Sequence, residues 1–265
     1  MFSNTSIASM FICCLLCIII PIGAMIIYKK KNKNVRISSF FIGGAVFILF
    51  ALVLEQIMHY FMLPAVSGST VAYVFYGAFA AGIFEETGRL AAFKTVMKKQ
   101  NDPKEAVMYG LGHGGTEAIL LAGLSMLSSA VTAVMTNQMG VEAIVSLSSG
   151  GNAETAELVR SQLETLAAVG TGTMLLSVLE RIIAMAFHTA MSVMVFESAR
   201  VKGKGFLFPV CIVFHAVLDI PAALYQRQVI PLYAVYPIII VITAAAVYFA
   251  ARSYKRTKAV SEETA

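Results

Sequence analysis

The sequence predicts an all-α, polytopic integral membrane protein with about seven transmembrane helices, and three observations lead there. Of 265 residues, 58% are hydrophobic and only 13% are Asp, Glu, Lys or Arg, with a mean hydropathy of +0.78; ordinary soluble domains carry roughly 25% charged residues. Apolar runs recur at the length of ~20 residues that a crossing needs. Basic residues collect between alternate runs, which is the pattern of a chain that crosses the membrane repeatedly.

The first run, 7–28, is preceded by "MFSNTSIASM" and followed by "YKKKNKNVR". With no basic residue ahead of it, it reads as an uncleaved anchor and not as a signal peptide. Its Cys13, Cys14 and Cys17 have no second pair and no nearby His, and Cys211 is distant in the chain, so they read as small apolar packing residues. The second run, 38–63, is uniformly apolar apart from Glu55 and His59 near its far end. The third, 71–93, is interrupted by "FEETGRLAAFK" over 84–94, with Glu85, Glu86 and Arg89 inside five positions. Each such charge costs roughly 2.5 to 3.5 kcal/mol on insertion scales, so they call for a reason.

The fourth run, 105–134, opens on "YGLGHGGTEA", whose glycines let neighbouring helices come close. A polar stretch over 136–170 comes next, split by Gly150 and Gly151; its second half, "AETAELVRSQLETLAA", has apolar residues at helical spacing and predicts an amphipathic helix on the outer surface. Runs at 171–198, 206–226 and 231–251 complete the seven. No soluble domain interrupts them, so 1–265 reads as one membrane-embedded domain.

Orientation comes from the basic loops. Sixteen of the twenty Lys and Arg fall after the first span, between the third and fourth, between the fifth and sixth, and after the last. Alternate loops are therefore basic, which places the N-terminus outside and the C-terminus in the cytoplasm of a plasma-membrane protein. The net charge of +5 reports this topology and excludes a nucleic-acid role.

The polar residues inside spans can then be placed by depth. Glu85 is nine residues before Lys94, His113 nine after Lys104, His188 twelve before Arg200 and His215 eleven after Lys204. At about 1.5 Å per residue, all four lie roughly 14 to 18 Å from the cytoplasmic charge layer. Each also begins an i, i+4 polar pair: Glu85 with Arg89, His113 with Glu117, His188 with Ser192, His215 with Asp219. Four polar stripes at one level can face one another in a bundle interior.

Imidazoles and carboxylates converging in low dielectric suit a divalent metal, zinc before others. The candidate ligands are His113, His188, His215 and Glu117, with Glu85 or Glu86 as the base that takes a proton from water and passes it to a leaving amine. Arg89 offsets the carboxylate charge or stabilises an oxyanion, and Asp219 and Ser192 stand behind the histidines. A lone intramembrane His more often makes one interhelical hydrogen bond, so the coincidence of depth is what favours a site. His59 with Glu55, and Glu180 with Arg181, lie nearer the outer face and are set aside.

"EETGR", "YGLGH" and "HAVLD" resemble the three motifs of the CAAX prenyl endopeptidase and bacteriocin-processing membrane proteases, EExxxR, FxxxH and HxxxN/D, in the same order on separate spans. The pattern is more similar still to the YhfC family of intramembrane metalloproteases within that superfamily. The resemblance covers about 80 to 220. It implies that Glu85 activates water with Glu86 and Arg89 in support, that His113 and His215 are the motif histidines, and that a peptide bond is cut within or near the membrane. The Glu–Arg spacing is one residue shorter than in the prenyl proteases, and Tyr109 stands where Phe is usual.

The expectation is thus a metal-dependent intramembrane endopeptidase with its core in 71–226, acting on a membrane-associated peptide or protein in a lipid surround. Substrate and oligomeric state are not written in the sequence. The competing class is a scaffold or immunity-type binding protein that uses the same polar cluster for packing. A proton- or ion-coupled transporter is a third, but it predicts inverted repeats, and none is visible.

Overall fold

The computed structural model describes residues 2–263, and among them every regular element is helical. The helices are α1 (Asn4–Lys31), α2 (Ser38–Val66), α3 (Thr70–Lys94), α4 (Lys104–Met139), α5 (Val141–Ser149), α6 (Ala153–Ala168), α7 (Thr171–Arg200), α8 (Leu207–Gln226) and α9 (Leu232–Glu263). Among the described residues, six of these, α1, α2, α4, α7, α8 and α9, are long and apolar enough to cross a bilayer. Helix α3 has 25 residues, yet it carries Glu85, Glu86 and Arg89 in its second half. The protein is therefore an all-α, multi-pass membrane protein.

The chain divides into two compact units, Met1–Ile20 with Ala118–Arg181, and Pro21–Glu117 with Ile182–Ala265. In the first, Met10, Cys13 and Cys17 of α1 pack with Ala130, Ala133, Ile144, Leu163 and Met174. All four cysteines of the chain are free and buried. Asn137 fixes the start of the chain by a pair of hydrogen bonds, accepting from Phe2 N at 2.8 Å and donating to Phe2 O at 2.7 Å. The polar stretch forms α5 and α6, the latter capped by Asn152, whose Oδ1 accepts from Thr155 N at 2.9 Å.

The second unit holds the polar spans. Helix α2 packs along α4 and α3 along α8, and glycine makes both approaches possible. A Cβ on Gly112 would stand 1.9 Å from the Phe40 carbonyl oxygen, and one on Gly82 would stand 2.7 Å from the Ile212 carbonyl oxygen. Gly110 and Gly114, one turn apart on α4, face the backbone of α7 at Thr189 and Met185. His113 thus sits on a helix that neighbours approach at backbone distance.

Side chains bind the ends of these helices. Arg200 donates from Nη2 to the carbonyls of Phe93 and Met97, each at 2.8 Å, closing the C-terminus of α3. Glu105 accepts from Arg36 N at 3.0 Å and Ser39 Oγ at 2.5 Å, joining α4 to the start of α2. Glu197 of α7, fully buried, pairs with Arg256 at 2.6 Å and accepts from Ser253, fastening α9.

Two glycines inside helices should behave oppositely. Gly112→Ala forces a backbone shift and should cost about 3 kcal/mol or more, whereas Gly23→Ala meets nothing within 4 Å and should be neutral or stabilising by up to about 1 kcal/mol. Thermal unfolding of the purified variants in detergent, followed by circular dichroism at 222 nm, checks both.

Candidate functional site

Four helices of the second unit meet at a polar cluster in which Glu85, Glu86 and Arg89 on α3, His113 on α4, His188 on α7 and His215 on α8 are buried, and Glu117 on α4 and Asp219 on α8 are half-buried. Helical periodicity explains how α3 serves three neighbours from one pentapeptide. Adjacent residues diverge by about 100° around a helix, so Glu85 and Glu86 point to different partners, while Arg89 returns to the same side one turn on.

Glu85 lies at the centre. Its Oε2 accepts from His113 Nε2 at 2.7 Å and is 3.6 Å from His188 Nδ1, while its Oε1 is 3.9 Å from His215 Nε2. Three imidazole nitrogens from three helices therefore surround one carboxylate. Glu86 faces the other way, pairing with the Arg89 guanidinium and accepting from His215 Nδ1 at 2.7 Å. Arg89 Nη2 donates to His188 Nδ1 at 3.2 Å, and the opposite ring nitrogen, Nε2, pairs with Glu117 Oε2 at 2.7 Å.

These contacts set the ring tautomers. Glu86 holds a proton on His215 Nδ1 and leaves Nε2 facing Glu85 and Asp219, the latter at 3.6 Å. Glu117 holds a proton on His188 Nε2 and leaves Nδ1 facing Glu85. Histidines that bind metals show this carboxylate on their remote nitrogen. The rings are packed as well: His113 lies edge-on to Phe47 at 5.3 Å between centroids, and Phe187 stands edge-on to both His188 and His215.

A metal fits the donors present. Glu85, His113 and His188 each offer one ligand atom, all mutually within 4.8 Å and all buried, and nitrogen–oxygen sets of this kind suit divalent transition metals. Among the described residues, His113 Nδ1, Glu86 Oε2 and the Tyr109 hydroxyl are buried without a hydrogen-bond partner, a cost that a structural cluster alone would not require. Asp219, with 34% of its side chain exposed against 9% for Glu85, marks the open edge.

Of the residues singled out in the sequence, Glu85, Glu86, Arg89, His113, Glu117, His188, His215 and Asp219 are all brought together. Ser192 is not joined to the rings; its hydroxyl donates to the His188 carbonyl at 2.7 Å, the local bond a helical serine makes in apolar surroundings. One member of a polar pair set aside on depth, Glu55, lies near the cluster after all. Glu55, 6% exposed, is within electrostatic reach of Glu85, His215 and Asp219. Its i, i+4 spacing to His59 is the signal that marks the other four pairs.

Comparison with known proteins agrees with this picture. The chain is 32% identical over 233 residues to "Uncharacterized membrane protein YhfC" of Bacillus subtilis (strain 168), covering 86% of this chain and 88% of that relative. No solved structure matches. The sequence model described as "YhfC intramembrane metalloprotease" matches residues 16–240, which spans all four helices of the cluster. On that match, the chain belongs to the YhfC intramembrane metalloprotease family.

Proposed function

We propose that the protein is a zinc-dependent intramembrane endopeptidase that cleaves a membrane-associated peptide or protein. One observation carries the reading: the Glu85 carboxylate sits where nitrogens of His113, His188 and His215 converge, at 2.7, 3.6 and 3.9 Å. His113 through Nε2, His188 through Nδ1 and His215 through Nε2 are the proposed ligands, with Glu117 and Glu86 holding the two rings whose remote nitrogens they bind. Zinc in this set supplies Lewis-acid chemistry, polarising a carbonyl and lowering the pKa of water toward about 7.

The protein's own groups do the proton work. Glu85 takes the proton of the attacking water and returns it to the leaving amine nitrogen. Arg89 neutralises Glu86 and, by donating to His188 Nδ1, fixes that ring before metal arrives. Apolar residues around the rings exclude bulk water, which strengthens each electrostatic contact. Water and peptide enter past Asp219, the least covered member of the cluster.

This reading takes α3 as a seventh crossing, with its three charges turned inward, and orients the chain with its basic loops in the cytoplasm. The cluster then lies in the cytoplasmic half of the plasma membrane. Residues 71–226 contain every proposed catalytic group.

Elemental analysis of detergent-purified protein should find about one zinc per chain, and His113→Ala/His188→Ala/His215→Ala should hold less than about a tenth of that while eluting as one monodisperse peak. Wild-type protein that neither carries nor takes up zinc would remove the metal from the proposal. Glu85→Gln should retain zinc and lose about 10²- to 10⁴-fold in turnover of a quenched fluorogenic peptide of about twenty apolar residues with a central Gly-Ser pair. Undiminished turnover in that variant sinks Glu85 as the base, and loss of zinc makes it a ligand instead.

A further inference from the structure

Outside the proposed catalytic set, the second unit contains another polar chain. His59 Nε2 lies 3.2 Å from Glu55 Oε1, and its Nδ1 is 2.8 Å from the Tyr76 hydroxyl. Glu55 and His59 share one face of α2, and Tyr76 belongs to α3, which also carries Glu85 nine residues further on. Nine residues are roughly 13 to 14 Å of helix. The chain therefore runs along α3 away from the cluster, and Glu55 stands at its inner end: Phe50 packs against Gly88 and His59 bonds to Tyr76, so Glu55, between them on α2, is level with the turn of α3 that precedes Glu85.

The backbone of α2 changes where this chain begins. Over Ile48–Glu55 the helix widens to π-helical turns, and it returns to α-helix at Gln56. Such widened turns are frequent at functional sites. Phe47, Ala51 and Glu55 are buried, whereas no residue of Gln56–Val66 is. Glu55 is the last inward residue of α2, a buried carboxylate where the helix leaves its packing.

Nothing in the helix pair requires a carboxylate there. His59 engages Oε1, and among the described residues Oε2 has no hydrogen-bonding partner. A peptide that enters an intramembrane protease must be unwound around the bond to be cut, which exposes main-chain N–H groups to a medium with no water to satisfy them. An acceptor oxygen close to the scissile position answers that need.

We infer that Glu55, held by His59 and Tyr76, binds main-chain N–H groups of an extended peptide beside the catalytic cluster. This rests on the endopeptidase reading of that cluster. His59 orients the carboxylate through Oε1 and leaves Oε2 for the peptide; Tyr76 fixes the ring from α3. The widened turn gives α2 the rotation that brings Glu55 inward. Preference then goes to apolar segments that unwind easily, those with Gly or Ser near their middle, over segments that remain helical.

The test measures peptide binding and zinc content on the same nanodisc samples. The probe is a fluorescein-labelled peptide of about twenty Leu and Ala residues with a central Gly-Ser-Gly, followed by anisotropy; an uninterrupted Leu/Ala peptide is the comparison. Wild type should bind the interrupted probe more tightly, Glu55→Ala should weaken it about tenfold or more, and Glu55→Gln, which keeps an acceptor oxygen, should stay within about threefold. Equal affinity for both peptides, equal affinity of Glu55→Ala and wild type, or Glu55→Gln as weak as Glu55→Ala each overturns the inference.

A photo-leucine beside the Gly-Ser-Gly, crosslinked to wild-type protein, keeps the question open to test should Glu55→Ala fail to fold. Adducts within 48–59 and 76–85 support the site, and adducts confined elsewhere overturn it. Zinc content separates the two readings: zinc-free protein with the predicted peptide affinities removes the metallo-hydrolase and leaves the binding site, while zinc-loaded protein that ignores the probe does the reverse.

Discussion

Everything in the second unit is arranged around a guanidinium that has no solvent. Arg89 is fully buried, as is Glu86, to which it is paired, and a charge in such surroundings is tolerable only when countercharge and hydrogen bonds meet it. Arg89 also donates to His188 on α7, Glu86 accepts from His215 on α8, and Glu85 accepts from His113 on α4. Each polar residue of α3 thus uses a different neighbour. The helix that carries the charges is also the one that dictates where the other three must stand.

Those three can stand there because the backbones are bare where they cross. Gly82 admits α8 to α3, Gly112 admits α2 to α4, and Gly110 and Gly114 admit α7 to α4. Packing and small residues drive such association in lipid, since hydrocarbon offers no hydrophobic force between helices. A wider spacing would lengthen the 2.7 Å contacts between carboxylates and imidazoles. The glycines and the ionic cluster are therefore one device, with each making the other's geometry possible.

Much of this is legible in the sequence for a simple reason. Helices in a bilayer run in alternating directions from basic loops, so residue counts convert to depth, and i, i+4 pairs convert to faces. Depth and face are enough to put Glu85, His113, His188 and His215 together. Partner choice is not legible, because it depends on helix rotation: Glu86 on His215 and Glu117 on His188 arise from contacts that no spacing encodes. Ser192 shares the face of His188 yet turns its hydroxyl onto its own backbone. Depth counted along an ideal helix puts Glu55 too far out. The π-helical turns of Ile48–Glu55 hold more residues per turn, which shortens the climb and rotates the residues beyond them.

The distinction between a cluster that holds helices and one that performs chemistry can be argued from what each requires. Pinning α3 to α8 requires only Glu86, Arg89 and His215, which already neutralise one another. Glu85 adds a second buried carboxylate, with imidazole nitrogens at 2.7, 3.6 and 3.9 Å and with the nearest of those rings leaving Nδ1 buried and unpartnered among the described residues. Unmet polar atoms in a dry interior destabilise by about 1 to 3 kcal/mol each, and apolar replacements of similar volume would avoid that cost. A fold that needed only adhesion between helices has no use for this surplus. A site that must hold a cation and accept a proton needs nitrogen and oxygen donors beyond those that neutralise one another.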